Sequence, residues 1–191
     1  GVYRALYYLP SIIGGSVAVA ILWKRLFAVD GLVNKLLMVF GMKEPVAWLG
    51  DTRTAIWTLI ILAVWQFGSS MLIFLSALKQ IPVSLYEAAR VDGATPLQQF
   101  TKITLPVLKP ITYLVVTLGI IWSFQVFDLA YLMTGGGPGH SSVTLVMGIY
   151  NAAFKQYKMG YACAMAMFLL LMIIIINVVE DLFFKEKKEA K

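Results

Sequence analysis

Four long runs without Asp, Glu, Lys or Arg divide this chain: residues 5–23, 55–78, 110–127 and 159–179. We label them a, b, c and d. Each has about the 20 helical residues needed to cross the hydrocarbon core of a bilayer. One such run could equally be a fully buried helix of a soluble protein. Four of them in 191 residues cannot all find a polar shell, so lipid must serve as part of the solvent. Composition agrees. Hydrophobic residues make up 60% and charged residues 14%, with a mean hydropathy of +0.79, values that a soluble domain could not carry on its surface. The expected fold class is all-α, a polytopic membrane helical bundle with four transmembrane helices.

A polar island, residues 80–109, separates runs b and c. Pro82 suits a first helical turn, where its missing N–H would be unbonded anyway, and residues 85–91 follow without a breaker. Gly93 can take the left-handed conformation that closes a helix, and Pro96 can open the next one. Thr95-Pro96-Leu97-Gln98 has the pattern of a capping box, with the threonine hydroxyl accepting from the Gln98 N–H. This predicts two short helices with a sharp bend between them. Leu85, Ala88 and Ala89 share a face at i, i+3 and i+4, and the small alanines would let another surface approach. Glu87 and Arg90 lie on the neighbouring face. Taken alone, the segment also fits a solvated loop with an ordinary amphipathic turn.

Spacing separates these readings. Glu87-Ala88-Ala89, then Gly93, Ile103, Leu105 and Pro106 resemble, at all seven fixed positions, the EAA motif (Glu-Ala-Ala, three residues, Gly, nine residues, Ile, one residue, Leu-Pro). That motif marks the membrane permease subunits of bacterial ATP-binding-cassette importers. The resemblance implies the permease core of a type I importer. It also implies that Leu85, Tyr86, Glu87, Ala88, Ala89, Arg90, Asp92 and Gly93 form a coupling helix docked in a cleft of a cytoplasmic ATPase, with Glu87 as a polar contact and Gly93 as the bend. It covers the whole chain, 1–191, as one transmembrane domain with a cytoplasmic coupling loop at 80–109. Permeases of this kind usually carry two further spans ahead of the one that run a resembles. Because the chain starts at Gly1, the expectation is an amino-terminal truncation. Run a does not read as a cleavable signal peptide, since only Arg4 precedes it and no small-residue cleavage site follows.

The positive-inside rule bears on orientation. With the island inside, Arg4, Lys79, Arg90, Lys102, Lys109, Lys185, Lys187, Lys188 and Lys191 face the cytoplasm. Lys24, Arg25, Lys35, Lys43, Arg53, Lys155 and Lys158 lie outside. The carboxyl-terminal lysines decide a narrow margin and place the carboxyl terminus in the cytoplasm. The net charge of +6 is then a signal for topology and lipid headgroups. No basic stripe with interleaved aromatics indicates a nucleic-acid partner.

Several constellations carry no chemistry. The loop Thr134-Gly135-Gly136-Gly137-Pro138-Gly139-His140-Ser141-Ser142 lacks the Lys-Ser/Thr pair of a phosphate loop. It reads as an external turn built on positive φ, before a helix beginning near Ser142, and a Thr-Gly-Gly-Pro stretch at this place resembles the carbohydrate-importer branch of the family. Cys163 is the only cysteine and His140 the only histidine, so neither a disulfide nor a metal site is expected. No nucleophile, base and orienter can be assembled, so no enzyme is expected in this chain. The resemblance assigns ATP and Mg to a partner ATPase and leaves no cofactor here.

Polar residues interrupt runs b and c. Trp65, Gln66, Ser69 and Ser70 stand in b; Trp122, Ser123 and Gln125 stand in c, with Asp128 just beyond it. Polar groups at such depth favour a protein-lined cavity. Indole faces beside amides and hydroxyls suit a sugar, whose C–H surface stacks on the ring while its hydroxyls are hydrogen-bonded. Ser69, Ser70 and Ser123 would serve helix packing equally well. The resemblance favours the cavity, because family members line theirs from the spans flanking the motif. The expected function is uptake of a neutral mono- or oligosaccharide by alternating access, beside a second permease subunit, ATPase subunits and an external solute-binding protein, in the bacterial inner membrane. A neutral cargo follows from the lack of Lys or Arg in all four runs, which leaves a buried anion uncompensated by this chain. The alternatives are an importer of glycerol phosphate or another small solute, a secondary transporter or channel, and a structural assembly subunit.

Overall fold

The computed structural model describes residues 2–184, which form helices and loops with no strand. Eleven α-helices follow in order: α1 Val2–Ile13, α2 Val17–Leu26, α3 Leu32–Val39, α4 Ala55–Trp65, α5 Gly68–Gln80, α6 Val83–Val91, α7 Pro96–Gln99, α8 Leu105–Phe124, α9 Asp128–Thr134, α10 Leu145–Tyr150 and α11 Met159–Phe184. Single π-helical turns, Phe100–Thr104 and Asn151–Lys155, extend α7 into α8 and follow α10. Lys185, Lys187, Lys188 and Lys191, the lysines that decide the expected orientation, lie outside the described residues, as does Gly1.

Runs b, c and d form three helices long and apolar enough to span a membrane: Ala55–Gln80, Pro96–Phe124 and Met159–Phe184. Run a departs from the expected straight span. It breaks into α1 and α2, whose axes differ by 103°. Three local features make the corner. Pro10 removes one backbone donor in α1, Gly14 and Gly15 give the chain freedom, and Ser16 starts α2 by accepting from the Val19 N–H at 3.3 Å. The corner is then locked from run b. The Gln66 amide donates to the Gly14 carbonyl at 3.3 Å, and a side chain at Gly14 would overlap Gln66 and the Pro10 carbonyl. Gly68 lets α5 cross α1 at backbone contact, because any Cβ there would strike Tyr7 and Tyr8.

The second expected difference lies in the island. The helix opened by Pro96 is not short but continues through 29 residues to Phe124. Pro106 offers no N–H and its ring crowds the carbonyl four residues back, which would normally break the helix. Here the π turn absorbs the misfit, with the Leu105 N–H donating to the Phe100 carbonyl, five residues back. The helix therefore passes a proline without stopping.

Packing places these elements at two ends. α5 lies between α1 and α8, and α8 packs on α11. α8 and α11 run antiparallel: the Thr117 hydroxyl donates to Glu180 at 2.9 Å, and the Tyr113 and Phe184 rings are 5.5 Å apart. Phe184, the last residue of α11, therefore lies beside the middle of α8, and α11 points toward the end that carries α6. The opposite end holds the principal core, in which Val19, Ala20, Trp23 and Phe27 meet Leu62 of α4 and Met133 of α9. Asn34, 1% exposed, fastens the loop around this core. Its amide donates to the Val29 and Val46 carbonyls at 3.0 and 2.8 Å, and its oxygen accepts from the Val46 N–H and the Trp48 indole. The glycine loop behaves as expected, with Gly135, Gly136 and Gly139 all at positive φ, although α10 starts at Leu145, capped by Thr144, three residues after Ser142. Along the spans the apolar side chains stay largely exposed. In α11 only Ala162 and Glu180 are buried, which leaves broad surface for lipid or other helices.

Candidate coupling element and cavity residues

The helix α6 hangs between two spans on tight, well-defined joints. Pro82 sits at its cap, one position before the first helical turn, with its carbonyl accepting from the Leu85 N–H at 3.2 Å. At the other end, Gly93 has φ +76°. The Ala94 N–H donates to the Ala89 carbonyl at 2.8 Å and the Gly93 N–H to the Arg90 carbonyl at 3.0 Å. This pair of bonds is the Schellman closure, which satisfies carbonyls the helix end would otherwise leave bare. Two residues later Thr95 forms the expected capping box, with Gln98 N–H to Thr95 Oγ1 at 3.3 Å and Thr95 N–H to Gln98 Oε1 at 2.8 Å. The bend is thus set by one positive-φ glycine and two reciprocal caps.

The faces of α6 divide differently from the sequence expectation. Tyr86 and Ala89, one turn apart, are half-buried against the chain itself. Leu85 and Ala88 are exposed, together with Val83, Glu87, Arg90, Val91 and Asp92. Ala89 therefore helps seat the helix on its own protein, while Ala88 lies on the open side. Among the described residues neither Glu87 nor Arg90 forms an ion pair. Val91 is 88% exposed and Val83 68%, so the open side combines large aliphatic groups with an unpaired carboxylate and guanidinium. A surface with apolar groups and unpaired charges of both signs, held on a rigid bend, is suited to docking another protein.

The cavity candidates fall into two groups. The Trp65 ring lies 5.1 Å from that of Trp23 and packs on the principal core, and Gln66 holds the corner of the bent segment. Both already serve packing. Ser69 is exposed on the first turn of α5 and Ser70 is half-buried. In the second group Trp122 is 75% exposed, and Ser123 donates back to the Ile120 carbonyl at 2.8 Å. Gln125 caps α8 and Asp128 opens α9, both with exposed side chains. Among the described residues no hydrogen bond or ring contact joins the first group to the second. A cleft of about 330 Å³ between α5 and α8 is lined by Leu72, Ile73, Ser76, Ala77, Gln80 and Ile111, none of them a candidate.

The end that holds the principal core also holds a cluster that sequence reasoning passed over. Phe127, Tyr131, Tyr150 and Phe154 form a chain of ring contacts 5.1–5.5 Å apart, and the Lys155 ammonium lies 5.1 Å from the Tyr131 ring centre. The i, i+4 repeats 127/131 and 150/154 were the available signal.

Comparison with known proteins completes the description. The family described as "Binding-protein-dependent transport system inner membrane component" matches residues 1–188. A probable ABC transporter permease protein of Bacillus subtilis (strain 168), YesP, is 48% identical over 186 residues, which cover 96% of this chain and 59% of the relative. The lactose transport system permease protein LacF of Rhizobium radiobacter is 34% identical over 193 residues, 98% of this chain and 64% of the relative. The chain thus spans about three fifths of the length of these relatives. The fold resembles that of a chain in the crystal structure of a bacterial ABC transporter involved in import of the acidic polysaccharide alginate. The TM-score is 0.85 at 24% identity, over 98% of this chain and 66% of that one, a likeness of fold alone. By the match along nearly its whole length, this chain belongs to the family of binding-protein-dependent transport system inner membrane components.

Proposed function

We propose that this chain is the permease portion of an ATP-driven importer that carries a neutral saccharide across the bacterial inner membrane. The observation that carries the reading is α6: a helix fixed by the Gly93 closure, seated through Tyr86 and Ala89, and open toward solvent through Val83, Leu85, Glu87, Ala88, Arg90 and Val91. A rigid helix between two spans, with an unsatisfied outer face, is the part a motor can grip. Family membership supports dependence on an external binding protein, and the lactose permease among the relatives supports a carbohydrate cargo.

ATP and Mg are held by separate ATPase subunits, so hydrolysis takes place outside this chain. Closure of the ATPase pair displaces docked α6, and with it α5 and α8, the spans on either side. The cavity, completed by a second permease subunit, then opens outward and accepts cargo from the binding protein. Hydrolysis restores the inward-facing state. Work arises from contacts that differ between the two states. The direction of α11, which runs antiparallel to α8 toward the end that carries α6, supports a cytoplasmic carboxyl terminus.

Trp65, Gln66, Ser69, Trp122, Ser123, Gln125 and Asp128 remain the cargo-contact candidates, with Trp122 and its neighbours the ones free to meet a ligand. The absence of Lys and Arg from runs a to d disfavours an anionic cargo. The test is competition in a reconstituted uptake assay on the full-length protein with its partners. Neutral mono- and disaccharides, lactose included, should inhibit uptake of a labelled saccharide, and a sugar phosphate should not. The reverse pattern contradicts the neutral-cargo reading, unless the partner permease places a basic residue in the cavity.

A further inference from the structure

Helix α6 is joined to the span after it by a short covalent link, Asp92, Gly93, Ala94 and Thr95. The Gly93 closure and the Thr95 capping box set the bend at the hinge itself, but bonds clustered at the hinge have little leverage against a load applied along α6. One side-chain bond closes the open side of this V. The Tyr86 hydroxyl lies 2.8 Å from the Thr104 Oγ1, with either group able to donate. Tyr86 stands seven residues before Gly93 and Thr104 eleven after it, so the bond joins the two arms well away from their hinge. Among the described residues it is the only side-chain hydrogen bond that α6 makes to another element.

Thr104 is placed for this contact by the neighbouring proline. It ends the π turn Phe100–Thr104 that accommodates Pro106, and the extra residue of a π turn rotates the residues after it by about 100° relative to a straight α-helix. Thr104 is thereby buried at 7% exposure, and Tyr86 is half-buried above it. A hydroxyl pair shielded in this way does not exchange freely with water, so each group depends on the other. No comparable side-chain bond ties α6 to α5, to which it connects through Ile81 and Pro82.

We propose that Tyr86 and Thr104 are a positioning pair that makes α6 and the helix Pro96–Phe124 move as one body, so that a displacement of docked α6 is delivered to α8 rather than lost at the hinge. The idea rests on the docking role proposed above for α6. The residues are not contacts for cargo or nucleotide; they act through the angle they hold.

The test uses the full-length protein assembled with its ATPase and partner permease in proteoliposomes. Tyr86→Phe keeps the ring and removes only the hydroxyl, Thr104→Val keeps the shape, and the double variant completes a cycle. The readouts are solute moved per ATP hydrolysed, ATPase recovered with the complex, and thermal melting. Each single variant should lower the solute-to-ATP ratio about fivefold, the equilibrium equivalent of one net hydrogen bond, and the double variant should fall no further. ATPase recovery and ATP turnover should stay at the level of the unaltered protein. Unchanged ratios overturn the proposal, as do additive losses in the double variant. A drop in melting or in complex recovery with a normal ratio in the complex that remains also overturns it, because the pair would then serve folding alone. Failure of the unaltered protein to recover any ATPase would instead overturn the docking reading, and the pair with it.

Discussion

Gly93 offers the sharpest perturbation of the coupling element, because its environment isolates a single physical effect. Its φ is +76°, and a Cβ added there meets nothing within 4 Å. Substitution therefore introduces no collision with neighbouring side chains, and the whole penalty is backbone strain. An L-residue with a Cβ in the left-handed region costs about 1–2 kcal/mol, with β-branched residues at or above the upper end and Asn toward the lower. The competing state is a helix end at negative φ, which gives up the Ala94–Ala89 and Gly93–Arg90 bonds and sends Thr95 in another direction. Since about 1.4 kcal/mol is a factor of ten, Gly93→Val should cut the equilibrium ratio of bent to unbent forms some 30-fold relative to glycine, Gly93→Ala about tenfold and Gly93→Asn less. Uptake and ATP hydrolysis measured on the same proteoliposomes should show transport per ATP falling in the order Gly, Asn, Ala, Val, with equal amounts of protein in the membrane. A valine variant that transports normally, or an asparagine variant as impaired as valine, would refute the reasoning.

Other positions test the scaffold and the cavity. Asn34→Ala strands the Trp48 indole, the Val46 N–H and two carbonyls in a buried site, so it should lower stability by about 3 kcal/mol or more, read as a lower melting temperature in detergent. Gly14→Ala forces overlap with Gln66 and the Pro10 carbonyl and should destabilise the corner by about 1–3 kcal/mol, with Gly15→Ala, where no atom lies within 4 Å, as the tolerated control in the same melt. Trp65→Ala should lose roughly 2–3 kcal/mol of stability along with uptake, because the ring packs on the core. Trp122→Ala should leave melting within about 0.5 kcal/mol of the unaltered protein while uptake falls, and normal uptake would remove Trp122 from the cavity.

Different parts of this structure were legible to different degrees. Runs b, c and d were visible because a span must be free of charge over its length, a property that needs no knowledge of neighbours. The close of α6 at Gly93 and the Thr95 capping box were visible because both are local, written in four or five consecutive residues. Run a satisfied the same hydropathy criterion and still bent. What decides its course is Gly14 meeting Gln66, 52 positions away, and hydropathy carries no trace of that contact. The continuous helix from Pro96 was hidden because Pro106 normally reads as a stop, and only the π turn makes it passable. Ala89 and Ala88 looked equivalent on a helical wheel, and their separation into seated and open residues depends on where Tyr86 finds Thr104. Glu180 escaped notice because it begins where run d ends, although the helix continues past it and buries it against Thr117. For the cavity, sequence identified residues of the right chemistry but not their employment. Trp65 and Gln66 are engaged in holding the bent segment, whereas Trp122, Ser123, Gln125 and Asp128 are not held by that corner.

The central claim is that the open face of α6 is where an ATPase grips this protein. Affinity purification of the full-length protein from its own membranes, with ATPase recovery measured for the unaltered protein and for Glu87→Lys, tests it directly. Glu87 is exposed and forms no ion pair among the described residues, so reversing its charge should leave the fold and the melting temperature intact. The account predicts stoichiometric ATPase with the unaltered protein and its loss, by tenfold or more, with Glu87→Lys, since a group that pairs with a carboxylate in the docked interface would instead meet an ammonium, a reversal that costs several kcal/mol. Full recovery of the ATPase with Glu87→Lys, at unchanged transport, would contradict it.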